Sequence, residues 1–170
     1  MSFSLYQASA PRFANTLKNL STILDKAQAH CEAKKIDPLA ITSFRLFPDM
    51  FPLSRQIQIM TDTAKGAIAR LAGIEIPKYE DTEQTFAELK ARMMKTADFV
   101  MSVPAAKIDG SADKDISMKI GGKDTVIKGG QYLLGHAYPN FYFHSTTAYN
   151  ILRHNGIEVG KRDFLGTIVL

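Results

Sequence analysis

The residue of this sequence best placed to do chemistry is His144, in the stretch NFYFHSTTAYNILRHNG from Asn140 to Gly156. Phe141, His144, Ala148 and Ile151 recur at steps of three and four, so one inward helix face carries all of them. An inward imidazole has two uses. Either it is held by a hydrogen bond to a carbonyl, hydroxyl or carboxylate, or it acts as a metal ligand or general base. A chelate on one helix needs a second ligand one turn on, and that position is Ala148. His144 is thus a candidate catalytic residue with no local partner.

The other titratable residues are less suggestive. His30 and Cys31 are adjacent, point to different faces of their helix and so do not chelate together. His136 precedes the fourth helix or sits in its first turn, where it either reaches a pocket mouth or is simply exposed. His154 closes that helix before the stop signal Asn155-Gly156, where the dipole favours a protonated histidine by roughly 0.3–1 kcal/mol. Asp62 shares helical spacing with Arg55, Gln58 and Lys65, which reads as a solvated, ion-paired face opposite the Met60–Ala64 seam. With His144, it is the remaining candidate metal ligand. Glu83 and Glu88 fall on the exposed side of the third helix. Gly121-Gly122 and Gly129-Gly130 lack the strand-loop-helix context and the Lys-Ser/Thr of a phosphate loop. No serine nucleophile elbow occurs, and the lone cysteine has no local activation.

Four helices must position these residues. The first buries Phe13, Leu17, Leu20, Leu24, Ala27 and Cys31, with Pro11 marking a kink or its regular start, and ends at the Asp37-Pro38 turn. The second runs from about Asp49, as N-cap, to Gly73, with a seam of Met50, Leu53, Ile57, Met60, Ala64, Ala67 and Leu71. The third starts near Asp81 and carries Phe86, Leu89, Met93, Ala97 and Val100. The fourth starts between Gln131 and Asn140. Between the third and fourth, DISMKIGGKDTVIKGG alternates about a glycine turn and reads as a β-hairpin that needs the helices to support it. The expected architecture is mainly all-α: an up-and-down four-helix bundle with a small β-hairpin between helices three and four, one domain over residues 1–170.

Composition excludes several classes. The chain has 170 residues, 45% of them hydrophobic, which suffices for a substantial core. Its net charge of +4 is scattered, with no arginine stripe or aromatic-basic interleaving, so nucleic acid is not expected as a partner. No stretch approaches a membrane span, and the opening MSFSLYQASAPRF lacks the basic and apolar regions of a signal peptide. A soluble cytoplasmic protein is expected.

Two stretches, RLFPDMFPLSRQIQIMTDTAKGAIARLAG and PNFYFHSTTAYNILRHNGIEVGKRDFLG, carry a resemblance. They are similar to the bacterial domain-of-unknown-function family numbered nineteen ninety-three, grouped with the DinB/YfiT-like four-helix bundles, and the likeness spans essentially the whole chain. The resemblance implies a DinB-like fold. Such relatives typically hold a divalent metal, often nickel or zinc, with one histidine from the second helix and two from an H-x-x-x-H on the fourth. Several are thought to be thiol-dependent S-transferases. His144 matches the first histidine of that pair, Ala148 stands at the second, and Asp49 to Gly73 contains no histidine.

No cofactor is therefore expected, and if there is one it is a divalent metal such as zinc or nickel. The leading expectation is a metal-independent bundle that binds a small molecule or a protein partner, with a pocket lined by Tyr6, Asp62, Phe141, His144 and Tyr149. The alternatives are an S-transferase-like metalloenzyme using His144 as ligand or base, and a dimeric scaffold without a small ligand. Homodimerisation is expected, with the apolar C-terminal GTIVL buried.

Overall fold

Helix α1 (Leu5–Lys34) begins where Ser4, the N-cap, accepts a hydrogen bond from the Gln7 N–H on its hydroxyl oxygen. The computed structural model describes residues 4–167. The α1 helix starts ahead of Pro11 and runs through it, so the proline is neither its start nor its end. Lys35, in the left-handed conformation, closes it. A short α2 (Pro38–Thr42) follows, capped by Asp37.

Helix α3 (Leu53–Ala72) is the central element, and buried side chains lie nearly all round it. It starts after Pro52, which occupies the N-cap, rather than at Asp49, because the chain before it turns back on itself through a hydrogen bond from the Leu53 N–H to the Phe44 carbonyl. Gly73, at φ 67°, supplies the expected left-handed stop. Helix α4 (Phe86–Ser102) begins later than Asp81. Thr85 and Glu88 form a reciprocal capping box that fixes its first turn.

After the short α5 (Ala105–Ile108), strands β1 (Asp115–Ile120) and β2 (Lys123–Lys128) pair antiparallel across Gly121-Gly122. Both glycines have positive φ, which a two-residue hairpin turn of this hand requires. Ile116 is buried, and Met118 and Ile127 pack on the helical core, which supplies the support a lone hairpin lacks. The chain then winds through α6 (Gly129–Tyr132) and a π-helical turn (Leu133–Ala137) directly into α7 (Tyr138–His154). A short α8 (Lys161–Leu165) packs on α1.

The long helices α1, α3, α4 and α7 form the expected four-helix bundle with its hairpin, around one apolar core. The contacts also fix the helix directions. Tyr6 meets Asp109 and Asp25 meets Lys90, so α1 and α4 oppose each other. Gln56 meets His144 and Arg70 meets Tyr132, so α3 and α7 oppose each other. Phe13 touches Phe141 while His30 lies beside Gly156, so α1 and α7 run the same way. It follows that α3 and α4 are parallel, and strict up-and-down alternation breaks once, at that pair. The 74–85 segment makes this possible by carrying the chain back along α3.

Gly166 and Thr167, the described part of the apolar terminus, are exposed; 168–170 lie outside the described residues. No helix among the described residues is long and apolar enough to cross a membrane.

Candidate functional site around His144

The spacing that turns Phe141, Ala148 and Ile151 into the core turns His144 toward α3, where it is 9% exposed. Its Nδ1 lies 2.6 Å from Gln56 Oε1. The Gln56 amide nitrogen donates in turn to the Phe51 carbonyl at 3.0 Å. That carbonyl can only accept, so the Gln56 oxygen must face the imidazole, and Nδ1 must carry the proton. Nε2 makes no hydrogen bond to any described residue. Since no buried side-chain nitrogen or oxygen lacks a partner, this nitrogen reaches solvent.

Electrostatics keeps the ring neutral. Burial, and then the charge of Arg55, hold the His144 imidazole below the ordinary histidine range. At neutral pH the group is thus an uncharged imidazole of fixed tautomer, with an Nε2 lone pair facing outward. It can accept a hydrogen bond, take a proton or ligate. The surrounding elements carry exposed phenyl rings beside the Arg55 charge. Phe51 and Phe47, on the turn that Gln56 anchors, are 53% and 63% exposed, and Phe143, its ring edge-on to His144, is 56% exposed.

A zinc or nickel centre does not fit this donor set. Such a centre wants three protein ligands and an open position, whereas His144 has an amide for its nearest polar neighbour. Ala148 is fully buried, so the place where a second fourth-helix ligand would project is closed over by packing. Among the described residues, no group of three or more His, Cys, Asp or Glu side chains is arranged to hold a metal ion.

The five side chains expected to line a pocket have separate surroundings. Tyr6, near the start of α1, gives its backbone N–H to Asp109. Phe141 is fully buried against Phe13. Tyr149 packs its ring on Phe164 and donates its hydroxyl hydrogen to the Val159 carbonyl. Asp62 belongs to an ion-pair cluster on the α3–α4 side. These contacts follow from bundle geometry: α3 directs His144's partner toward α7, and directs Asp62 toward α4.

The Asp62 face is indeed ion-paired but only partly solvated: the Asp62 and Arg55 side chains are each 38% exposed, while α4 covers the rest. Gln58 and Lys65 are buried, and the cause is Arg92, whose side chain is only 2% exposed. Its guanidinium donates to Thr61, Gln58, Asp62 and Glu83, and to the Glu80 carbonyl. Glu83 precedes α4 and is thereby nearly buried, not on an exposed helical side. Tyr79 lies among Lys65, Arg92 and Lys95, with its ring centroid 4.3 Å from the Lys65 ammonium. This cluster fastens the 74–85 crossover to α3 and α4.

The other histidines also have definite places. His30 is half-buried beside Gly156, and Cys31 is fully buried, its thiol pushed up by desolvation. His154 is exposed next to Phe44. His136 is internal to the π-helical turn, earlier than the first turn of α7.

Gln56 and Arg92 are the residues that sequence reasoning passed over. Gln56 gave no signal, since it stands beside the regular Leu53–Ile57 step of the apolar seam and interrupts nothing. Arg92 adjoins the Leu89–Met93 stripe, but arginines beside apolar stripes are ordinarily solvated.

Comparison with known proteins places this geometry. The family model described as domain of unknown function (DUF1993) matches residues 5–165. The chain is similar to a DinB family member protein from Shewanella denitrificans, known from its crystal structure, with 42% sequence identity and a TM-score of 0.88. That likeness covers 98% of this chain and 94% of the other. No curated protein matches.

Proposed function

Because the chain belongs to the DUF1993 family and folds like a DinB family member, we propose that it is a cytoplasmic binding protein on a DinB-like scaffold without the three-histidine metal centre. The single observation that carries this reading is the 2.6 Å contact from His144 Nδ1 to Gln56 Oε1. It uses the imidazole to fasten α7 to α3 and the Phe51 turn, and leaves only Nε2 to the outside. The ligand or partner offers a hydrogen-bond donor to Nε2 and an apolar body to Phe47, Phe51 and Phe143. A second copy of the chain remains the expected assembly partner.

A second reading is supported by the free Nε2. A neutral imidazole of fixed tautomer is also what a general base requires, and an enzyme using His144 in that role needs no metal.

His144→Asn tests the first reading. The asparagine amide nitrogen sits as many bonds from Cα as Nδ1 does, so the variant keeps the donor to Gln56 and loses the outward acceptor. Retained fold with loss of binding, in a screen of small molecules and by analytical ultracentrifugation, supports it. A purified protein carrying one equivalent of zinc or nickel that His144→Ala loses would sink it.

A further inference from the structure

At the other end of the α3–α7 contact lies a second polar group. Arg70 Nη1 donates to the Tyr132 hydroxyl at 3.2 Å, and its guanidinium lies 5.9 Å from that ring's centroid. His136 stacks on the same Tyr132 ring, with centroids 5.7 Å apart and an interplanar angle of 23°. The site is separated from Gln56 by 14 residues of α3, about 21 Å along the helix at its usual rise.

We propose that Arg70, Tyr132 and His136 form a binding site for a small oxyanion, a carboxylate or phosphate group. Arg70 makes no ion pair with any described residue, although it is half-buried. The Tyr132 hydroxyl accepts from Arg70, and its own hydrogen has no acceptor among the described residues. The His136 ring makes no hydrogen bond to them either. Tyr132 is buried, at 2% exposed, so it orients the guanidinium from below, while half-buried Arg70 and His136 present a cation and a further donor to one patch with no acceptor; an arginine fork is matched to two oxygens of one anion.

Two features hold the group in place. Arg70 stands in the last turn of α3, where a cation could serve the helix dipole. Its side chain instead takes the N-terminal lean of helical residues and lies over Gly66. A Cβ at Gly66 would be 2.6 Å from Nη1, and it would meet nothing else within 4 Å but that same guanidinium. A buried mid-helix glycine is unfavourable for the helix, and here it makes the room the guanidinium occupies. On the opposite side, the π-helical turn Leu133–Ala137 places His136 over Tyr132, and the Asn140 amide caps the His136 carbonyl. Such turns recur at functional sites. Burial and the Arg70 charge hold His136 below the ordinary histidine range, the condition a bound anion would relieve.

The test is a nitrogen-15 NMR titration with sodium phosphate and, separately, sodium acetate, at ionic strength held constant with sodium chloride. Wild type should give saturable shifts of the Arg70 and His136 side-chain signals with at least one anion, and which anion does so identifies the ligand class. Arg70→Gln should weaken binding about tenfold or more, the loss expected of a charge-assisted hydrogen bond. Gly66→Ala should weaken it too while unfolding at an equal or higher temperature, since alanine favours the helix and only displaces the guanidinium. His144→Asn should bind as wild type does, which separates this site from the one around His144. No saturable shift with either anion would overturn the proposal, as would unchanged binding in Arg70→Gln or Gly66→Ala.

Discussion

Replacing His144 by alanine should destabilise the protein by an amount the surroundings of Gln56 determine. Gln56 is 1% exposed, so removing its donor strands a buried carbonyl oxygen, at a cost of about 1–3 kcal/mol. The space left by the ring adds a cavity cost of about 1 kcal/mol. The total is about 2–4 kcal/mol, which lowers the midpoint of thermal unfolding by roughly 4–16 °C for a chain of this size. His144→Asn keeps the donor and should lose less than half as much. A double-mutant cycle with Gln56→Leu isolates the pair, with an expected coupling of about 0.5–3 kcal/mol by urea denaturation. If His144→Ala unfolds within about 0.5 kcal/mol of wild type, the range of an ordinary surface change, or the cycle gives no coupling, the contact does not hold the helices together.

Acid should weaken the fold through His144, because its folded pKa lies below the value of about 6.5 it regains on unfolding. The neutral form's contribution is complete above that value and is lost as pH falls toward the folded one, so His144→Asn should flatten the stability decline below pH 7. Arg92→Ala should cost about 3–5 kcal/mol by denaturant melt, since it leaves Glu83 without its buried cation and Asp62 with Lys65 alone; lysine, lacking the planar fork, should restore only part. The Tyr6 N–H, and then the Ser4 hydroxyl, hold the Asp109 carboxyl below the usual range. Asp109→Ala should therefore cost about 0.5–1 kcal/mol at neutral pH, as for other helix caps, and the difference should vanish as acid protonates the carboxyl. Burial pushes Tyr138 up to about 12, so an alkaline ultraviolet titration should leave part of the phenolate absorbance undeveloped at pH 11.

The helices were legible in the sequence because their apolar periods are regular, and the hairpin because alternation about Gly121-Gly122 has few other solutions. The inward face of His144 followed from the same spacing. What periodicity could not give was the partner. Gln56 is brought to His144 by the opposed run of α3 and α7, a tertiary fact absent from either helix alone. The reach of Arg92 was hidden for a related reason, since its acceptors come from α3 and from a crossover without helical period. The starts of α3 and α4 lie later than Asp49 and Asp81 because Pro52 and the Thr85–Glu88 box set the actual boundaries.

The most direct test of the Gln56–His144 clasp is the nitrogen-15 shift pattern of the His144 ring at neutral pH, recorded without and with one equivalent of zinc. A protonated Nδ1 and a bare Nε2, unchanged by the metal, are expected. A ring protonated at Nε2, or one whose shifts move stoichiometrically to a metal-bound pattern, would contradict this expectation.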